Sequence, residues 1–301
     1  MKIIHITDLH FGPYQWNGNN DKLLERINAF NADLVFNTGD MTTDSLEDEF
    51  QQAHDFLAKI KCNNIVSILG NHDKFSRRSH DFFRKYIYDG QFVEPKDRSK
   101  VKKRRVYMNK DVVTLEGYLY EANFVRLFDI KGKKVMVVAL DTCVMHQHTG
   151  FMEEEILHTI SDIIKRTPHD CILMLTHHPV LSTDNEPLYS SKHITSFINK
   201  HKIGAVFCGH THDVAMIKVN DILHNHTYRQ FICGSMSGRT TVHDVNMYCS
   251  YENFGEEDEK IIITRMYPEG EDINFVDTAV EKDGSIANIS GNVGQGNASD
   301  L

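Results

Sequence analysis

The chain has no run of about 18 apolar residues, so no segment reads as a membrane-spanning helix. Nor is there an excess of basic charge, since 33 Lys and Arg stand against 42 Asp and Glu for a formal charge of −9. Non-specific affinity for nucleic acid or an anionic bilayer rests on accumulated positive charge, which excludes neither a local basic patch nor a small anionic ligand. The six cysteines are widely spread with no C-x-x-C pair, and five lie in or beside strand-like apolar stretches. They read as buried, reduced thiols of a cytoplasmic protein. The opening residues Met1 to Asp8 run directly into a strand, which leaves no room for the apolar core and cleavage site of a signal peptide.

At 301 residues and 41% hydrophobic, the chain can bury a substantial core in one large domain, expected over 1–283. Short β-branched runs alternate with longer amphipathic stretches. Strands are predicted at Ile3–Thr7, Leu34–Thr38, Asn64–Leu69, Lys134–Leu140, Cys171–Thr176, Ala205–Cys208, Arg229–Cys233 and Lys260–Met266. Helices are predicted at Asp21–Phe30, Leu46–Lys59, Glu153–Arg166 and His193–Lys200. Strands alternating with helices make an α/β layered fold, in which ligands gather where strands end in loops. Two regions break the rhythm. Gly90 to Asp111 carries eight Lys and Arg with no apolar period and is expected to be a solvated loop or a basic arm. Residues 284–301, rich in Gly, Asn and Ser, are expected to be a disordered tail.

The polar motifs sit at predicted strand ends. Ile3–Thr7 delivers Asp8-Leu9-His10, whose carboxylate and imidazole, two positions apart, can share one cation. Leu34–Thr38 runs into Gly39-Asp40, where the glycine frees the backbone to turn and present a carboxylate suited to bridging two metals. The third strand ends in Gly70-Asn71-His72-Asp73, which combines an amide oxygen, an imidazole and a carboxylate. Cys171–Thr176 ends in His177-His178-Pro179, and Ala205–Cys208 ends in Gly209-His210-Thr211-His212. A lone histidine is more often a hydrogen-bonded core or loop residue than a ligand. Five such motifs in order, each closing an apolar strand, point to a metal site.

This ordered set, from about residue 3 to 213, resembles the calcineurin-like metallophosphoesterase superfamily. The resemblance implies a four-layer α/β/β/α sandwich with a dinuclear centre at one edge. By position in the motifs, Asp8, His10, Asp40 and His212 resemble the ligands of one metal, and Asp40, Asn71, His177 and His210 those of the other. His178 is then a substrate-facing or outer residue. His72 resembles the family's non-ligand histidine, which would hydrogen-bond a phosphoryl oxygen or protonate the leaving group, with Asp73 able to orient it. Two cations about 3.5–4 Å apart would clamp the phosphate and supply hydroxide at neutral pH. Mixed oxygen and nitrogen ligands fit manganese, iron or zinc.

Gly39-Asp40 is followed by Met41-Thr42-Thr43, without the Arg of the family's protein phosphatases. The short motif looks more like the class III cyclic-nucleotide and glycerophosphodiester phosphodiesterases. The expected substrate is therefore a small phosphodiester, with a 3′,5′-cyclic nucleotide leading. A nuclease tracking nucleic acid along Lys96 to Lys110 is the second reading, disfavoured by net charge, with a phosphomonoesterase beside it. An inactive metal-binding scaffold is the third, disfavoured because every principal ligand position is filled. The stretch Gly234 to Gly238 reads as a loop near the site or a simple turn. His5, His146, His148, His224, His226 and His243 read as structural or exposed more often than as ligands, although His146 and His148, after the strand ending in Asp141, could reach the mouth of the site.

Overall fold

In the computed structural model, residues 1–93, 122–182, 187–238 without Gly238, 245–282 and Gly284 are described. The basic arm and the tail expected from the sequence lie outside these residues, apart from 90–93 and Gly284. The described chain builds two six-stranded sheets. The first contains β1 (Ile3–Ile6), β2 (Leu34–Asn37), β3 (Ile65–Ser67), β10 (Asn246–Glu252), β11 (Lys260–Glu269) and β12 (Asp272–Glu281), in the order β12-β11-β10-β1-β2-β3. The second contains β4 (Phe124–Ile130), β5 (Lys133–Ala139), β6 (Cys171–Leu175), β7 (Ala205–Cys208), β8 (Ala215–Asp221) and β9 (His226–Ile232), in the order β4-β5-β6-β7-β9-β8.

Side-chain alternation assigns the layers. Ile3, Leu34 and Phe36 share a core with Val135, Val137, Leu173, Leu175 and Phe207, so this core lies between the sheets. Neighbours of opposite parity, Ile4, Ile6, Val35, Met136, Val138, Ile172 and Met174, pack instead with helical side chains. Those helices are α1 (Asn20–Ala29), α2 (Glu47–Leu57), α3 (Ser79–Tyr86), α4 (Glu154–Arg166) and α5 (Ser191–His201). Helix α1 buries Leu23, Leu24 and Ile27, and α4 buries Ile156, Leu157, Ile160, Ile163 and Ile164, each at the spacing of one helical face. The Asn19 side chain caps α1 by accepting from the Asp21 and Lys22 amides, and the Glu49 carboxylate holds the entry of α2 through the Asp44 and Leu46 amides. Helix, sheet, sheet and helix thus stack as expected.

What positions the site is parallel pairing. Strands β1, β2 and β3 run parallel in one sheet, and β5, β6, β7 and β9 run parallel in the other. Their carboxyl ends therefore open onto one edge of the sandwich. Beyond the strands the loops continue to pair: the Asp8 amide donates to Gly39 O at 2.9 Å and the His10 amide to Asp40 O at 3.0 Å.

Candidate metal centre

Two close approaches bring the loops together. A Cβ on Gly70 would stand 2.1 Å from both the Asp40 amide nitrogen and Oδ1. One on Gly209 would meet Thr7 Oγ1 at 2.0 Å and Asp8 Oδ2 at 2.5 Å. Only glycine admits such contacts. Left-handed backbone, uncommon for residues with side chains, occurs at Asp8 (φ 53°), His10 (45°), Asp40 (51°), His210 (73°) and His212 (60°). These are residues that the sequence motifs offered as metal ligands, and backbone strain of this kind clusters at functional sites.

Their side chains converge. His10 Nε2 lies 3.8 Å from Asp8 Oδ1 and 3.6 Å from Asp40 Oδ2. His212 Nε2 is 3.2 Å from Asp8 Oδ1, and His177 Nε2 is 3.4 Å from Asp40 Oδ2. Three overlapping groups, Asp8-His10-His212, His10-Asp40-His72 and Asp8-Asp40-His177, bring ligand-type atoms within 4.8 Å of one another. Asp40 belongs to two of them, between His10 and His177. Asn71 Oδ1 approaches His177 Nε2 at 2.9 Å and His210 Nδ1 at 3.0 Å, so His210 joins the cluster through the amide. Asp8, His10, Asp40, Asn71 and His177 are buried, whereas His72, His210 and His212 are partly exposed and form the open side.

The donor set fits a cation. Asp8 Oδ1 and both ring nitrogens of His10 are buried and form no well-aligned hydrogen bond among the described residues, and a cation would satisfy the carboxylate oxygen and the unprotonated ring nitrogen. His177 makes the same demand more sharply. Its Nδ1 donates to Thr38 O at 2.8 Å, so with the Asn71 amide turned this way its Nε2 faces two acceptors, Asn71 Oδ1 and Asp40 Oδ2, which a proton or a metal ion reconciles. Protonation is the metal-free solution: burial lowers the His177 basicity, but the Asp40 carboxylate outweighs it and pushes the pKa up to about 9. Burial by itself would raise Asp40, yet His177, His10 and His72 hold its carboxyl well below the usual range. Asp8 is likewise lowered, with His212 opposing the effect of burial.

The outer residues depart from expectation in two places. Asp73 does not touch the His72 ring. Its buried carboxylate accepts from the Gly70, Met41 and Thr42 amides and from Thr42 Oγ1, and burial together with the Asp40 charge pushes its pKa up to about 7. It orients His72 only through backbone, because it fixes the segment whose Thr43 O accepts from His72 Nδ1 at 2.8 Å. His178 does not face the opening either. It is buried between Thr142 Oγ1, 2.9 Å from its Nδ1, and the backbone oxygen of His148, 2.7 Å from its Nε2. The substrate-facing reading of His178 therefore gives way to an outer role. His148, read from sequence as more often structural or exposed but able to reach the mouth, does reach the site: its Nδ1 lies 3.0 Å from Asn71 Nδ2, and its ring packs edge-on to His72. The one sequence cue was its place just beyond the strand ending at Asp141. Gly234–Ser237 also lies against the site, with the Met236 amide donating to Asp8 O at 3.2 Å.

The sequence profile of the calcineurin-like phosphoesterases matches residues 1–214, the span that carries all seven candidate metal ligands. The chain belongs to that family. A probable cyclic nucleotide phosphodiesterase of Coxiella burnetii is 28% identical over 100 residues, 31% of this phosphoesterase chain and 40% of the relative. The chain thus matches less than half the length of that protein. Among solved structures, purple acid phosphatase from yellow lupin seeds is 9% identical with a TM-score of 0.54, covering 91% of this chain and 52% of the other. GAP50, the anchor in the inner membrane complex of Plasmodium, is 11% identical with a TM-score of 0.51, covering 94% and 90%. At these identities the likeness establishes a shared fold and no shared activity. No described helix of this phosphoesterase is long and apolar enough to cross a membrane.

Proposed function

We propose that the chain is a metal-dependent phosphodiesterase with a two-metal centre, hydrolysing a small phosphodiester, foremost a 3′,5′-cyclic nucleotide, in the cytoplasm. The observation that carries the metal reading is the convergence of Asp8, His10, Asp40, Asn71, His177, His210 and His212 at one sheet edge, with unpaired acceptors turned inward. Asp8, His10, Asp40 and His212 would hold one ion; Asp40, Asn71, His177 and His210 would hold the other. Divalent cations bound there would neutralise phosphoryl oxygens and make water acidic enough to attack at neutral pH. The partial match to a probable cyclic nucleotide phosphodiesterase and the lack of a phosphate-gripping Arg after Asp40 favour a diester over a phosphoprotein. The six cysteines are free thiols, in keeping with a reducing compartment.

The chain's own groups divide the remaining work. His72 stands at the open side, with Nδ1 committed to Thr43 O, which leaves Nε2 to meet the substrate. When also protonated at Nε2, the ring donates to a phosphoryl oxygen and then passes its proton to the departing alkoxide. Asp73 and Thr42 keep the carrying loops still. The test is turnover by metal-stripped protein reconstituted with manganese, iron or zinc. Cyclic mononucleotides, glycerophosphodiesters, phosphomonoesters and single-stranded DNA would be compared. Metal-dependent hydrolysis led by cyclic nucleotides is expected. Preference for DNA or phosphomonoesters would overturn the substrate class, and metal-independent or absent turnover on all four would overturn the reading.

A further inference from the structure

We propose that His148 is a positioning residue that sets the orientation of the Asn71 amide, and with it the strength of the second cation site. The proposal rests on the two-metal reading above, in which Asn71 Oδ1 is a ligand. An amide oxygen ligates only if its nitrogen is turned away, and the two ends of an amide are so alike in shape that hydrogen-bond partners must choose between them. On one side of the amide stand His177 Nε2 and His210 Nδ1, at 2.9 and 3.0 Å from Oδ1. On the other stands His148 Nδ1, 3.0 Å from Nδ2. With the Asn71 NH2 group donating, His148 Nδ1 must be the acceptor, and its proton resides on Nε2. A flipped amide would oppose oxygen to the Nδ1 lone pair.

The backbone around His148 is built to hold that acceptor in place. The imidazole of His178, buried and tied to Thr142 Oγ1, donates from Nε2 to the His148 backbone oxygen at 2.7 Å. The start of the same loop is anchored by the buried Lys74, whose ammonium donates to Asp141 Oδ2 at 2.5 Å and to Cys143 O at 2.6 Å. Lys74 follows His72 and Asp73 directly, and its own backbone oxygen accepts from the His146 amide at 3.2 Å. The β5–α4 loop is therefore tied to the Asn71 loop ahead of His148 through Lys74, and held at His148 itself by His178 from the loop after β6. The edge-on packing of His148 against His72 and Phe75 fixes its ring plane. Outer partners of ligands act in this way, and removing one typically weakens metal affinity about 10–100-fold.

The test uses the full chain, stripped of metal and titrated calorimetrically with manganese. Two variants separate acceptor from bulk: His148→Ala removes the Nδ1 acceptor, and His148→Asn places an amide oxygen where Nδ1 stood. Two manganese sites are expected in the unaltered protein. In His148→Ala one site should weaken by about 10–100-fold while the other is unchanged, and His148→Asn should restore it. At saturating manganese, His148→Ala should keep its KM for bis(p-nitrophenyl) phosphate. Unaltered affinity at both sites in His148→Ala would overturn the proposal, as would equal weakening in both variants. Absence of manganese binding by the unaltered protein would instead bring down the metal reading, and this proposal with it.

Discussion

Asp40 illustrates how much one side chain can be asked to do. Its Oδ2 lies between His10 at 3.6 Å and His177 at 3.4 Å, while Oδ1 accepts the His72 amide at 2.7 Å. Asp40→Asn keeps the shape and removes the charge, so manganese binding should be lost at both sites and turnover should fall below detection. Metal analysis returning two ions per chain in this variant would remove the bridging role. In the proposed reaction His72 contributes after binding. His72→Ala should lower kcat by about 10²–10³-fold, the usual cost of a lost transition-state donor, with metal content intact. Both outcomes are read from elemental analysis beside steady-state kinetics.

At the scale of elements, the crossing of the β2 and β3 loops leaves no space for a methyl group. Gly70→Ala would drive a Cβ into Asp40 backbone and carboxylate, so the chain should fold with weakened metal binding and little activity. Wild-type kinetics for Gly70→Ala would show that the loops yield. Strand β1 supplies a different prediction. His5 lies between the sheets, with Nε2 2.9 Å from Thr38 Oγ1 and its ring edge-on to Phe207. Burial lowers its pKa to about 3, against a smaller opposing pull from Asp8. The unfolded chain takes up that proton near pH 6.5 and the folded chain resists it until about pH 3, so stability present above pH 6.5 is lost as pH falls through this window. Between pH 6 and 4, His5→Gln should flatten the stability profile by about 1.4 kcal/mol per pH unit relative to the unaltered protein. Urea denaturation across that range reads the difference, and parallel profiles would deny His5 the role.

For the whole molecule, the join between the sheets matters most. Arg229 on β9 grips the buried Glu259 ahead of β11 with two nitrogens, one pair at 2.8 Å, and its guanidinium lies over the rings of Phe231 and Phe254. Cutting Arg229 to Ala strands a buried carboxylate, which should cost about 3–5 kcal/mol of unfolding free energy. The site lies elsewhere, so manganese affinity should hold in the folded fraction. Equilibrium unfolding settles the first point and titration below the melting range the second; a loss under 1 kcal/mol would make the pair incidental.

Much of the architecture was legible along the chain because it is encoded locally. Strands β1, β2, β5, β6 and β7 and helices α1, α2 and α4 lie within a few residues of their predicted bounds, since each carries its own apolar period and punctuation. Strands β4, β8, β10 and β12 and helix α3 were not anticipated. Strand β10, Asn246–Glu252, mixes Asn, Ser and Glu into its run and becomes a strand because β1 and β11 pair with it from either side. The pairing with β1 joins residues such as His5 and Cys249 from opposite ends of the chain, which no local window reveals.

Sequence by itself determined which residue types close each strand: two carboxylates, an amide and four imidazoles, placed by apolar runs that stop where polar motifs begin. Tertiary structure alone decided that Asp73 serves backbone amides, that His178 braces a loop, and that His148 meets Asn71. Those assignments turn on which nitrogen faces which oxygen across loops from different sheets. Hydrogen bonds act within about 3 Å and depend on angle, and only the packed sandwich sets positions that finely.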